Sequence, residues 1–120
     1  MATLNEAMAH IRANYVYEET DSALKLEFTT DDNRSQVVWA GGTEDLLFVF
    51  SPFAVGTKPE IVLSLTEDTF FGIGRISGGV YVVRHVVPLA DVDASEIDLA
   101  LKLVAVEADT LESQIGGDRF

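Results

Sequence analysis

The stretch from Val80 to Ile115 constrains this chain more than any other, because one short acidic turn joins the strongest strand pattern to the strongest helix pattern. In Val80-Tyr81-Val82-Val83-Arg84-His85-Val86-Val87, six of eight residues are β-branched or aromatic, and Pro88 removes the next ladder donor. That is a strand with a defined end. In the turn beyond it, Asp93 and Glu96 have the spacing of a capping box, each side chain satisfying a backbone N–H that the first helical turn leaves unpaired. Ile97, Leu101, Val104, Ala108, Leu111 and Ile115 follow at intervals of four, three, four, three and four, one continuous apolar helix face. Gly116-Gly117 stops the helix, and Asp118-Arg119-Phe120 is a tail. Everything upstream must supply a surface for this unit.

The upstream sequence reads as a helix and a three-stranded meander. Thr3 and Glu6 form another capping box, and Leu4, Ala7, Met8 and Ile11 make a helical stripe that ends near Asn14. His10 lies just off that stripe and reads as a surface residue. Tyr15-Val16-Tyr17 leads into an acidic, irregular or edge segment. Ala23-Leu24-Lys25-Leu26-Glu27-Phe28 alternates with period two, so Leu24, Leu26 and Phe28 face a core while Lys25 and Glu27 meet water. A turn cluster at Thr30-Asp31-Asp32-Asn33 returns the chain as a strand from Ser35 to Ala40, and Gly41 to Asp45 makes the next reversal. Leu46 to Phe50 is apolar without alternation, which suits a strand covered on both faces, by its own domain or by another chain.

Ser51 to Gly56 then leaves the sheet. Thr57 and Glu60, with Pro59 in the first turn, open a short helix containing Ile61, Val62 and Leu65. Phe70 to Ile76 is a fourth strand, and Gly78-Gly79 is read as a two-residue hairpin turn into the fifth. That register sets Ile73 opposite Arg84 and Arg75 opposite Val82, and leaves Gly72 and Gly74 on the other face as a bed for a helix. The result is an α+β domain spanning residues 1–120, an antiparallel five-stranded sheet in the order α-β-β-β-α-β-β-α.

Composition narrows the function classes. With 20 acidic and 8 basic residues the net charge is -12, which repels phosphate backbones and anionic lipid, so nucleic acid and membrane are not the expected partners. Cysteine is absent, removing disulfides and thiolate chemistry, and neither a signal segment nor an apolar run of membrane-spanning length is visible. A cytoplasmic protein is the expectation. Only His10 and His85 exist, on different elements, so no metal is expected, and His85 reads as a packed or hydrogen-bonded edge residue. Gly72-x-Gly74 leads into a strand instead of opening a helix, unlike a phosphate loop. Asp91-x-Asp93-x-Ser95 lacks the glycine and glutamate of a calcium loop. Paired carboxylates fall in turns. No catalytic residue and no cofactor are expected.

What remains is surplus apolar surface. The last helix carries Leu99, Leu103 and Val106 beyond its main stripe, and either the first helix or another subunit must cover them. Val37, Trp39, Phe48 and Phe50 place bulky groups on the meander, aromatic anchors suited to a partner segment. The leading reading is a non-enzymatic, homodimeric adaptor that binds another protein or peptide. The alternative is a sensor or enzyme for a small anionic ligand held by Arg75 and Arg84.

Val82-Val83-Arg84-His85-x-x-Pro88-Leu89 running into Asp91-x-Asp93-x-x-Glu96, within the element order above, resembles the YbjN family. The resemblance spans about Ala23 to Ile115. Members are described as bacterial sensory-transduction regulators, with a fold similar to the chaperones of type III secretion. It implies a non-enzymatic α+β domain, usually paired with a second copy, that binds a segment of another protein and influences stress responses or partner stability. Arg84, His85 and Pro88 match the signature, which assigns them no role.

Overall fold

A computed structural model of the chain describes residues 3–31 and 34–116, so the Asp32-Asn33 turn and the tail from Gly117 onward lie outside the described residues. The elements are α1 (Leu4–Asn14), β1 (Tyr17–Glu19), β2 (Ala23–Asp31), β3 (Arg34–Thr43), β4 (Leu46–Val55), α2 (Pro59–Leu65), β5 (Gly72–Ile76), β6 (Val80–Pro88) and α3 (Ala94–Ile115). Every strand pairing is antiparallel, in the spatial order β1-β2-β3-β4-β6-β5.

The sheet therefore has six strands, not the expected five. The extra one, β1, pairs Tyr17 to Glu19 with Leu24 to Leu26 at the edge, and all three of its side chains are exposed. With no buried face it leaves no alternation to read, which is why the sequence leaves it as an irregular or edge segment. β3 runs on through Gly41 and Gly42, so the reversal narrows to Glu44-Asp45. β4 likewise continues past Phe50 to Val55. A bulge between Pro52 and Ala54 accommodates the proline and turns Phe53 into the core.

The helices begin where local chemistry satisfies their first N–H groups. In α1 the Thr3 hydroxyl accepts from Glu6 N at 3.2 Å, and Glu6 Oε1 accepts from Thr3 N at 3.1 Å. In α3 the Asp93 carboxylate accepts from Glu96 N at 3.0 Å and from the Ser95 hydroxyl at 2.7 Å. These bonds, Ser95 foremost, hold the Asp93 carboxyl below its ordinary pKa. The expected cap at Thr57 does not form. α2 starts at Pro59 behind Lys58, with no side-chain cap.

Both long helices pack on one face. There Ile97, Leu101, Val104, Ala108 and Leu111 of α3, with Ala7 and Ile11 of α1, close over Leu24, Leu26, Val38, Leu47, Val49 and Val83. At the far end of α3, Arg34 Nε donates to Asp109 Oδ1 at 2.9 Å and Arg34 lies 3.8 Å from Glu112, pinning the helix to the start of β3. His10, expected on the surface, reaches Asp98 of α3 at 2.8 Å instead. The Tyr15 hydroxyl donates to the same carboxylate at 2.7 Å. Burial, then this bond and the carboxylate's charge, push the Tyr15 phenol up to about 12.

Candidate partner-binding site

The face of the sheet opposite the helices is built by the residues that alternate with the core. In β4, Leu47 and Val49 are fully buried under α3 while Phe48 and Phe50 are half-buried on the far side, so the unpatterned run Leu46 to Phe50 is a central strand with two apolar faces. Val37 and Trp39 of β3 share that far side. Trp39 is directly opposite Phe50, and their rings stack at 6.3 Å with 7° between planes. All four residues proposed from sequence for partner binding thus lie on one helix-free surface.

Cross-strand pairing lines up one row over the whole sheet: Glu18, Lys25, Trp39, Phe50, Arg84 and Gly72. Lys25 Nζ sits 5.7 Å from the Trp39 ring centroid. Val86, opposite Phe48, extends the apolar surface on β6, while Val82, opposite Pro52, is buried. Lys25, Val82 and Val86 were not singled out in the sequence. Strand parity could have found Lys25, since it alternates with Leu24 and Leu26, but placing it beside Trp39 needs the β2–β3 register.

The β5–β6 hairpin departs from expectation by one residue. Its turn has three residues, Ser77–Gly79, with Gly78 and Gly79 at φ 82° and 73°, so Ile76 pairs with Val80. Ile73 consequently faces Val83 and Arg75 faces Tyr81, not Arg84 and Val82. A one-residue slip exchanges faces. Gly72 and Gly74 therefore lie on the helix-free side, and no helix beds against them. Arg75 has the opposite parity from Arg84, and its guanidinium lies 5.8 Å from the Tyr81 ring. A cavity of about 290 Å³ opens between Phe48, Phe50, Val82, Gly74 and Ile76, bordered by both Arg75 and Arg84.

On the other side of the molecule, Leu99, Leu103 and Val106 form an outward stripe on α3, exposed by 54%, 43% and 43%. α1 leaves them uncovered. His85 packs edge-on against Phe71, ring centroids 5.5 Å apart. Among the described residues, no three of His, Asp and Glu converge as a metal site, and no helix is long and apolar enough to cross a membrane.

This arrangement of α1, a meander, a short helix, a hairpin and a long helix recurs in a solved structure. A chain of the heterodimeric ExoU–SpcU complex from the type III secretion system of Pseudomonas aeruginosa superposes with a TM-score of 0.52 at 12% identity. The match covers 89% of this chain and 94% of that one. The likeness is one of fold. No protein-family model and no curated protein matches the sequence. At this identity the likeness concerns architecture, and the side chains on the open face carry the rest of the argument.

Proposed function

We propose that this protein is a non-enzymatic adaptor of the chaperone kind, a homodimer whose helix-free sheet face takes up a segment of another polypeptide. The observation that carries the proposal is the Trp39–Phe50 stack, flanked by Val37, Phe48, Val82 and Val86, on a surface that both long helices leave bare. Large aromatic groups of this sort anchor protein interfaces, and a contiguous apolar face with no internal role marks an interaction site. The architecture supports the same reading, since the similar chain belongs to a heterodimeric complex. The dimer is assigned to Leu99, Leu103 and Val106 on α3, leaving the sheet free for the partner. Membership in the YbjN family, service in a stress or signalling response, and a cytoplasmic location complete the proposal and rest on the Val82 to Glu96 signature and the composition.

The experiment is a photo-crosslinking amino acid placed at position 48 in cells producing the protein, with another at exposed Glu60 on α2 as control. A discrete partner polypeptide cross-linked from position 48 and not from position 60 supports the proposal. No polypeptide adduct from position 48 refutes it. The cavity bordered by Arg75 and Arg84 favours a second reading, a small anionic ligand. Thermal stabilisation by a metabolite, abolished when both arginines become alanine, would select that reading.

A further inference from the structure

The open face has a charge pattern that the molecule as a whole does not. The chain carries 8 basic residues against 20 acidic ones, and Arg12 and Arg34 are engaged by Glu19 and by Asp109. Lys25 and Arg84 stand at either side of the stacked aromatic pair, in the row Lys25–Trp39–Phe50–Arg84. Among the described residues, no carboxylate comes within ion-pair distance of either. A strongly acidic protein has thus placed two cations that form no ion pair on its most aromatic surface, Arg84 away from any carboxylate of the row and Lys25 with Glu18 opposite it on β1.

Their spacing specifies a ligand. Lys25 and Arg84 are three strands apart, which at about 4.8 Å per strand is about 14 Å. An extended peptide advances about 3.3 Å per residue, so positions i and i+4 are about 13 Å apart, and i, i+2 and i+4 point to the same side. Resting on the adaptor reading above, we infer that the segment taken up is extended, crosses the strands along this row, and carries acidic residues at i and i+4 with a large apolar residue at i+2. The first carboxylate meets Lys25, the apolar side chain lies on Trp39 and Phe50, and the second carboxylate meets the Arg84 guanidinium. Glu18, opposite Lys25 on the outermost strand, excludes a further acidic residue beyond the first. A second copy of this chain fits the row poorly, because a two-fold axis through its centre, along the row or across it, brings cation against cation. Nucleic acid is opposed by the net charge of -12.

Trp39 is the only tryptophan, so its emission reports occupancy of the row directly. The probes are blocked nonapeptides with the core Glu-Ser-Phe-Ser-Glu, a neutral version with glutamine for both glutamates, and a version of the first composition with the glutamates adjacent. The acidic i, i+4 peptide is expected to bind at least about tenfold more tightly than the neutral one, about 1.4 kcal/mol, with the advantage fading as salt is raised. Arg84→Gln and Lys25→Gln should each reduce that advantage. Arg84→Glu should recover tight binding to a peptide whose second glutamate is replaced by lysine, a rescue that mere damage to the fold cannot produce. Equal binding of the acidic and neutral peptides, or of the spaced and adjacent ones, overturns the inference and leaves the adaptor reading standing. Failure of every peptide to perturb Trp39 overturns both. A decathymidylate that outcompetes the acidic peptide, or Trp39 emission that changes on simple dilution of the protein, also overturns it, in favour of nucleic acid or a second copy.

Discussion

Replacing Arg34 with methionine tests how α3 is held against the sheet. The guanidinium is bonded at 2.9 Å to Asp109, whose side chain is 10% exposed, and lies 3.8 Å from Glu112, at 3%. Methionine keeps much of the stem's volume and deletes the charge, leaving two nearly buried carboxylates without this counterion. Breaking a buried ion pair from one side costs about 3–5 kcal/mol, and the lower figure applies because Arg34 itself is 24% exposed and water can approach. With an unfolding entropy of about 2 cal/mol/K per residue, a chain of this size loses about 12 °C of Tm for about 3 kcal/mol. Thermal unfolding followed by far-ultraviolet circular dichroism measures it. Adding Asp109→Asn and Glu112→Gln to the Arg34→Met variant removes both carboxylate charges and should restore more than half of the loss. A fall below about 3 °C, or no recovery in the triple variant, would show that the cluster is solvated and that apolar packing alone seats the helix.

Further outcomes follow from other parts of the molecule. Gly42→Ala drives a Cβ into the Leu46 carbonyl oxygen, backbone that cannot give way, so a loss of about 3 kcal/mol or more is expected in urea unfolding; a loss under about 1 kcal/mol contradicts the tight β3–β4 reversal. Leu99→Glu with Leu103→Glu alters exposed positions and should leave Tm nearly unchanged while converting a dimer to a monomer in sedimentation equilibrium. A dimer that persists removes α3 from the interface. Tyr15 should ionise only at about pH 12, seen as a late absorbance step at 295 nm that Tyr15→Phe abolishes. Because its folded pKa lies above the ordinary 10.0, the stabilisation linked to the protonated phenol is complete below pH 10 and disappears as pH rises through about 12.

The elements that the sequence discloses are those in which one periodicity survives burial. Ile97 to Leu111 reads as a helix and is packed along that face, while Ile115, at the end of the same stripe, is 38% exposed. Leu24, Leu26 and Phe28 read inward and are inward. The apolar run Leu46 to Phe50 poses a choice between coverage by its own domain and by another chain, and the structure divides it, Leu47 and Val49 going to the core and Phe48 and Phe50 to the open face. β1 reads only as an irregular or edge segment because every one of its side chains is exposed, so no alternation marks it as a strand.

The candidate site was legible only in part, for a sharper physical reason. Val37, Trp39, Phe48 and Phe50 were recognisable from residue type and parity within their own strands. The cations beside them depend on how strands are paired, and pairing is set by turns. Gly78-Gly79 is compatible with a two-residue hairpin, yet including Ser77 in the turn shifts the register by one residue. That single residue separates Arg75 from Arg84 and moves the two glycines of β5 to the open face, while the β4–β6 pairing sets Arg84 in the row with Lys25. Deleting Ser77 would shorten the turn toward the two-residue form and drive β5 to slip. The energetic opposition comes from Ile73, which packs against the core in the observed register and would be turned outward. The deletion should therefore detach β5 before it reverses it, seen as faster amide exchange at Ile73 and Arg75 with β4 and β6 protected as before. Unchanged protection along β5 would mean that contacts within the strand pair, not the turn, choose the register that builds the site.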